Sequence, residues 1–215
     1  MMFVLNPVRV IGWLAVIAIG SALAAEAMAQ SGSIDTTRSR VYVYVGKTGA
    51  GHAHGVEGTL AGGELHLGGT SPAGNLTFDL GKFAADTPAA RQLFKLPGET
   101  DANTRGQVSA SMLGESVLNV KKYPTARFVV KRVQALGPTG PGTARYQLEG
   151  ELTLHGAQQP LTIVATADAL EGMTRLRGRF KIKQTDFGIK PFTKFLGAVG
   201  VTDELQILGE IWVRP

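Results

Sequence analysis

The chain has 215 residues, a formal net charge of +5, 28 glycines and no cysteine. Without cysteine there is no thiol nucleophile and no disulfide framework, so the fold rests on burial alone. The modest positive charge, with no basic run interleaved with aromatics, speaks against nucleic acid as a partner and suits anionic lipid headgroups or acidic partners.

The first 30 residues carry one early charge at Arg9, an apolar run from Val10 to about Ala25, and then small residues. That is the layout of a secretory signal peptide, and Ala27-Met28-Ala29 places the cleavage between Ala29 and Gln30. A membrane anchor needs roughly 20 apolar residues; this run is shorter, is interrupted by Gly20 and Ser21, and is followed by no cysteine to lipidate. Removing residues 1–29 leaves 186 residues, one domain or at most two, with a periplasmic location expected.

Along the remaining chain, short apolar runs alternate with turn signals, the pattern of an antiparallel all-β domain. VYVYVG at 41–46 opens it with β-branched and aromatic residues that suit a pleated surface. GHAHGVEG at 51–58 follows, and on a strand His52, His54, Val56 and Leu60 share one face. NLTFDL at 75–80 is the next strand. TPAARQLFKL at 87–96 reads as a short helix, with Thr87 as N-cap, Pro88 at the first helical position and Pro97-Gly98 as the stop. Residues 104–120 read as a second helical segment, with Met112, Leu113, Val117 and Leu118 on its repeat.

ARFVVKRV at 126–133 returns to strand, and GPTGPGT at 137–143 is a hairpin tip or exposed loop. In LTLHGAQQPLTIVATADA the segment HGAQQP is a tight connection between two strands, with Pro160 beginning the second. TRLRGRFKIK at 174–183 alternates most cleanly: Leu176, Gly178, Phe180 and Ile182 face one way, Arg177, Arg179, Lys181 and Lys183 the other. GIKPFTKFLGAVG at 188–200 is a long connection with aromatics, glycines and lysines, suited to a lid or a membrane-touching loop. The terminal run sets Leu205, Ile207, Gly209, Ile211 and Val213 on one side, and inward glycines at 178 and 209 leave room or allow a bend. About eight such runs make either a sandwich or a closed barrel.

The ordered segments KYPTARF (122–128), LTLHG (152–156) and TDFGI (185–189), followed by a terminal apolar strand, resemble the signature of the YceI-like family. The resemblance covers residues 38–214. It implies a lipocalin-like, extended antiparallel eight-stranded β-barrel with one or two short helices, secreted to the periplasm, that binds a polyisoprenoid or other long-chain lipid. Two departures stand out: the opening VYVYVGKTGAGHAHGVEG is atypical, and Gln184 occupies a position where the family usually has arginine.

A binding role needs an apolar cavity with few polar groups at its mouth. Candidate lining residues are Phe78, Met112, Phe128, Phe180, Phe187, Phe192 and Phe195. No enzymatic constellation is visible. Ser109, Ser111 and Ser116 lack an elbow motif, and Glu149 and Glu151 share a strand face in a basic-rimmed sheet, where a solvated pair is the plainer reading. The rival class is a metal-binding protein or metal-dependent enzyme, in which His52 and His54, at i and i+2, are completed by His66 or His155. The first reading needs no cofactor or metal. Its partners are the lipid, transiently a membrane surface, and a second copy of the chain in a homodimer.

Overall fold

The computed structural model describes residues 31–69 and 72–215; the signal peptide expected at 1–29 lies outside them. Ten strands form one antiparallel sheet: β1 (Ser31–Ile34), β2 (Arg40–Gly49), β3 (His54–His66), β4 (Gly74–Ala85), β5 (Thr125–Gly140), β6 (Thr143–Leu154), β7 (Ala157–Leu170), β8 (Met173–Lys183), β9 (Thr193–Lys194) and β10 (Val199–Arg214). Two helices, α1 (Pro88–Leu93) and α2 (Ala102–Leu113), fill the β4–β5 connection. Among the described residues no helix is long and apolar enough to cross a membrane.

Seven long strands follow one another from β2 to β8, and an eighth, β10, pairs with both β8 and β2, closing an eight-stranded barrel. The two short strands are additions to that ring. β9 pairs with the start of β10, and β1 pairs with β10 and β3, the same two neighbours that β2 has. β1 and β2 therefore act as one wall strand, broken by the loop 35–39. The barrel takes in residues 31–37, which the expected boundary at 38 left out, because β1 supplies ladder bonds that β10 and β3 would otherwise lack.

The break is tied down from both sides. Asp35 accepts from the backbone N–H of Thr37 and Arg38 and from the Arg214 guanidinium, while the Ser39 hydroxyl accepts from the Trp212 N–H. Trp212, outward-facing yet buried, lies under the Arg38 guanidinium at 3.7 Å from its ring centroid.

Thr87 caps α1 through its side chain, accepting from the Ala90 N–H, as the sequence implies. Gly55 of β3 lies directly beneath Ala90, and a Cβ there would stand 3.0 Å from the helix backbone, so a larger residue would push α1 outward by a few tenths of an ångström. The second helix starts at an Asp101 cap, earlier than expected, and ends at Gly114; Val117 and Leu118 belong to the turns that follow. Of the two readings of 137–143, a hairpin tip or an exposed loop, the first holds: Pro141-Gly142 is the tip of the β5–β6 hairpin.

The β6–β7 connection is shorter than HGAQQP suggests. His155 and Gly156 both have positive φ, 52° and 80°, which makes a two-residue turn of the hairpin type, and β7 begins at Ala157. Pro160 sits inside β7, opposite Glu151. It is tolerated because β7 pairs with β8 only from Ala165 onward, leaving residues 157–164 with a free edge. The 3-10 turn Thr185–Phe187 packs on both strands at that opening, and buried Phe187 and Ile189 follow from it.

The closed core lies toward one end of the barrel, around Leu65, Leu76, Phe128, Val130, Leu176 and Val213. The other end carries the helices, the 49–54 turn and the 184–198 connection.

Candidate functional site

Inward alternation on β2, β8 and β10 builds the walls of a cavity of about 440 Å3 at the helical end. Val41, Val43 and Val45 come from β2, Phe180 and Ile182 from β8, Leu205 and Ile207 from β10, and Phe78 and Leu80 from β4. Met112, Val117 and Leu118 cover it from the β4–β5 connection. A smaller chamber of about 70 Å3 lies deeper, lined by Leu65, Phe128, Leu161, Ile163 and Ile211 among others. Val41, Phe78, Leu152 and Phe180 line both and form the neck between them. Gly178 and Gly209, paired across β8 and β10, face the deeper chamber, and a Cβ on Gly209 would meet nothing within 4 Å. Gly209 thus leaves room, whereas a Cβ on Gly178 would stand 2.9 Å from the Ile163 side chain, so glycine there permits close packing instead.

Of the candidate residues, Phe78, Met112, Phe180 and Phe192 line the large chamber, and Phe78, Phe128 and Phe180 line the deep one. Phe187 and Phe195 lie outside both. Phe187 is 2 % exposed because the 3-10 turn and the left-handed Gly188 fold its ring into the β7–β8 opening. Phe195 is 78 % exposed and Leu196 wholly so, at the tip of the small hairpin made by β9 and β10. Both carry positive φ, 51° and 54°, a strained backbone that holds two apolar side chains outward. Phe192 and Lys194, on the same connection, line the cavity.

The turn before Gly188 is held by Asp203, in the bulge that separates Val201 from Leu205 on β10, which accepts from the Thr185 N–H and hydroxyl. Gln184, where arginine was expected, is buried and donates to the Thr202 carbonyl, bracing the same bulge.

The polar residues on the cavity wall are His52, His54, Thr104, Gln107, Ser111, Gln184 and Lys194. His54 is the first residue of β3 and His52 precedes it, so GHAHGVEG enters the strand at the mouth; the two rings lie 4.9 Å apart. The proposed third ligands are elsewhere. His66 ends β3 at the opposite end of the barrel, and His155 faces the Phe187 carbonyl and the Tyr123 ring. Among the described residues no group of three or more His, Asp or Glu side chains is placed to hold a metal ion.

His54 has a different partner, which the sequence pattern did not single out. Its Nδ1 lies 2.7 Å from Oδ2 of Asp86, the residue after β4. Asp86 also accepts from the Gly55 N–H and from Arg91 of α1. Burial by itself would raise the Asp86 carboxyl; the hydrogen bond and charge of His54, the Gly55 N–H and the Arg91 charge outweigh it and hold the group below the ordinary carboxylate range. The Glu149 and Glu151 pair faces outward, bound to Arg132 and Gln147, and to Lys131 and Gln158.

A family model described as the YceI-like domain matches residues 33–211. UPF0312 proteins of Pseudomonas putida (strain W619) and Pseudomonas savastanoi pv. phaseolicola are 30% and 29% identical to the chain, each over 82% of it and 86% of the relative. Two solved structures share the fold: Burkholderia cenocepacia BcnA, at 17% identity and TM-score 0.55, covers 84% of this chain and 99% of its own. A polyisoprenoid binding domain from Saccharophagus degradans implicated in plant cell wall breakdown, at 12% identity and TM-score 0.56, covers 85% and 98%.

Proposed function

The chain belongs to the YceI-like family, and on that premise we propose that it is a periplasmic carrier that holds a long-chain isoprenoid or similar amphiphilic lipid in its barrel, without making or breaking a covalent bond. The observation that carries this reading is the two-chambered cavity, apolar over most of its wall. An alkyl or prenyl chain there gains about 0.8 kcal/mol per buried CH2, so ten carbons suffice for firm binding without a directional contact. The polyisoprenoid binding domain of Saccharophagus degradans shares the barrel, which supports an isoprenoid as the cargo.

The same proposal gives the exposed Phe195-Leu196 tip a role. Next to the mouth, flanked by Lys190 and Lys194, it is suited to enter the interface of an anionic membrane while the cargo transfers. Native mass spectrometry of protein isolated from its periplasm, with solvent extraction and metal analysis of the same sample, tests the reading. A stoichiometric long-chain lipid supports it; stoichiometric zinc or iron with an empty barrel overturns it in favour of the His52 and His54 metal site.

A further inference from the structure

Among the described residues, His52, His54 and Lys194 are the ionisable ones on the wall of the large chamber, and no carboxylate of theirs lines it. An apolar cavity whose few charged or chargeable groups are all bases selects for the opposite chemistry in its ligand's polar end. The arrangement around His54 makes that selection specific.

The Asp86 side chain is closed to solvent, and it is held there at φ 53°, a backbone conformation costly for aspartate. Ionised, and with Gly55 and Arg91 donating to it, Asp86 can only accept, so the proton between the two side chains belongs to Nδ1 of His54. Nδ1 is thereby committed. The ring remains on the cavity wall with its side chain 16% exposed, and Nε2 is the nitrogen left for a ligand.

We infer that the polar end of the cargo is an acidic oxygen group, a carboxyl or phosphate monoester, seated on Nε2 of His54 with Lys194 and His52 at the rim. This deepens the carrier reading and rests on it. An acid and an imidazole share one proton, which sits on either partner: the protonated acid donates to Nε2, and the anion accepts from Nε2–H. Both states keep a strong hydrogen bond, and the second is charge-assisted. An ester offers only an acceptor, and an alcohol donates and accepts but neither gives up its proton nor carries charge, so each loses part of this exchange.

The test uses four probes on one isoprenoid chain: farnesoic acid, farnesyl phosphate, methyl farnesoate and farnesol. Their affinities for the delipidated protein are measured by titration calorimetry at neutral pH. At least one acidic probe is expected to bind about tenfold or more tighter than the ester and the alcohol, as a charge-assisted hydrogen bond implies; which one does so identifies the head group. His54→Leu abolishes the preference, its circular dichroism spectrum and melting transition showing that the barrel is intact, and Lys194→Met reduces it in part. His54→Gln, which keeps a donor and an acceptor, is read if the leucine variant fails to fold. Equal affinity for all four probes, or a preference that survives the loss of His54, overturns the inference and leaves the carrier reading standing. No binding of any probe overturns both.

Discussion

The Nδ1 of His54 and the Oδ2 of Asp86, 32 residues apart in sequence, meet at 2.7 Å behind the cavity wall. The pair joins the first residue of β3 to the residue that follows β4, and Arg91 adds α1 to the same junction. A carboxylate whose folded-state pKa is depressed stabilises the fold above its unfolded value, near 3.9, and that contribution is lost as pH falls through the lower folded value. Asp86 is one such group. Asp35 is another, held down by hydrogen bonds from Thr37 and Arg214 against the opposing effect of burial.

The expected consequence is a urea midpoint nearly constant from neutral pH to about pH 5 that falls steeply below about pH 4. Asp35→Asn and Asp86→Asn each lower stability at neutral pH by roughly 1–3 kcal/mol and flatten the acid limb. Urea melts of the three proteins at pH 7, 5, 4 and 3 measure both effects; identical acid limbs in all three would exclude these carboxylates as the cause.

Gly209 faces an empty part of the deep chamber. Gly209→Leu should fill it with little strain, leaving ligands that need only the upper chamber unaffected and weakening longer chains about tenfold or more, as several CH2 groups lose their burial. Affinities for a geranyl and a geranylgeranyl chain bearing the same head group separate the two effects. Equal weakening of both would mean that the leucine distorts the barrel rather than shortening its cavity.

Phe195→Ser with Leu196→Ser removes the exposed apolar tip without touching a buried side chain. Co-sedimentation with phosphatidylglycerol vesicles should fall several-fold, with ligand affinity in solution unchanged. Binding to vesicles that is undiminished, or that is lost in phosphatidylglycerol and phosphatidylcholine alike only when Lys190 and Lys194 are neutralised, would count against insertion of the tip.

Thr174 is buried and its hydroxyl has no hydrogen-bond partner among the described residues. Thr174→Val keeps the shape and removes the unsatisfied group, so an increase in stability of about 1 kcal/mol, seen as a higher melting temperature, is expected. A decrease would show that the hydroxyl is satisfied in solution by water.

The alternation of TRLRGRFKIK and LQILGEIWV carries over directly into the structure, because side-chain direction on a strand has a period of two and needs no knowledge of the partner strand. Leu176, Gly178, Phe180, Ile207, Gly209 and Ile211 face inward, as their spacing requires, and the Thr87 cap is legible for the same local reason. The valines of VYVYVG carried the same signal and are cavity residues that a search for aromatics passed over.

The amino-acid sequence by itself therefore determined an antiparallel β chain with a known inward face, and three spaced motifs determined its family. Tertiary structure alone decided which inward residues border a void and which are packed solid. That depends on ring closure through β8, β10 and β2, on the bulge at Thr202–Glu204, and on the opening between β7 and β8 that Phe187 occupies. It alone also decided that the ring of His54 meets a carboxylate rather than a metal. The contact lies between residues whose separation along the chain carries no period, and only the register of β3 against β4 brings them together.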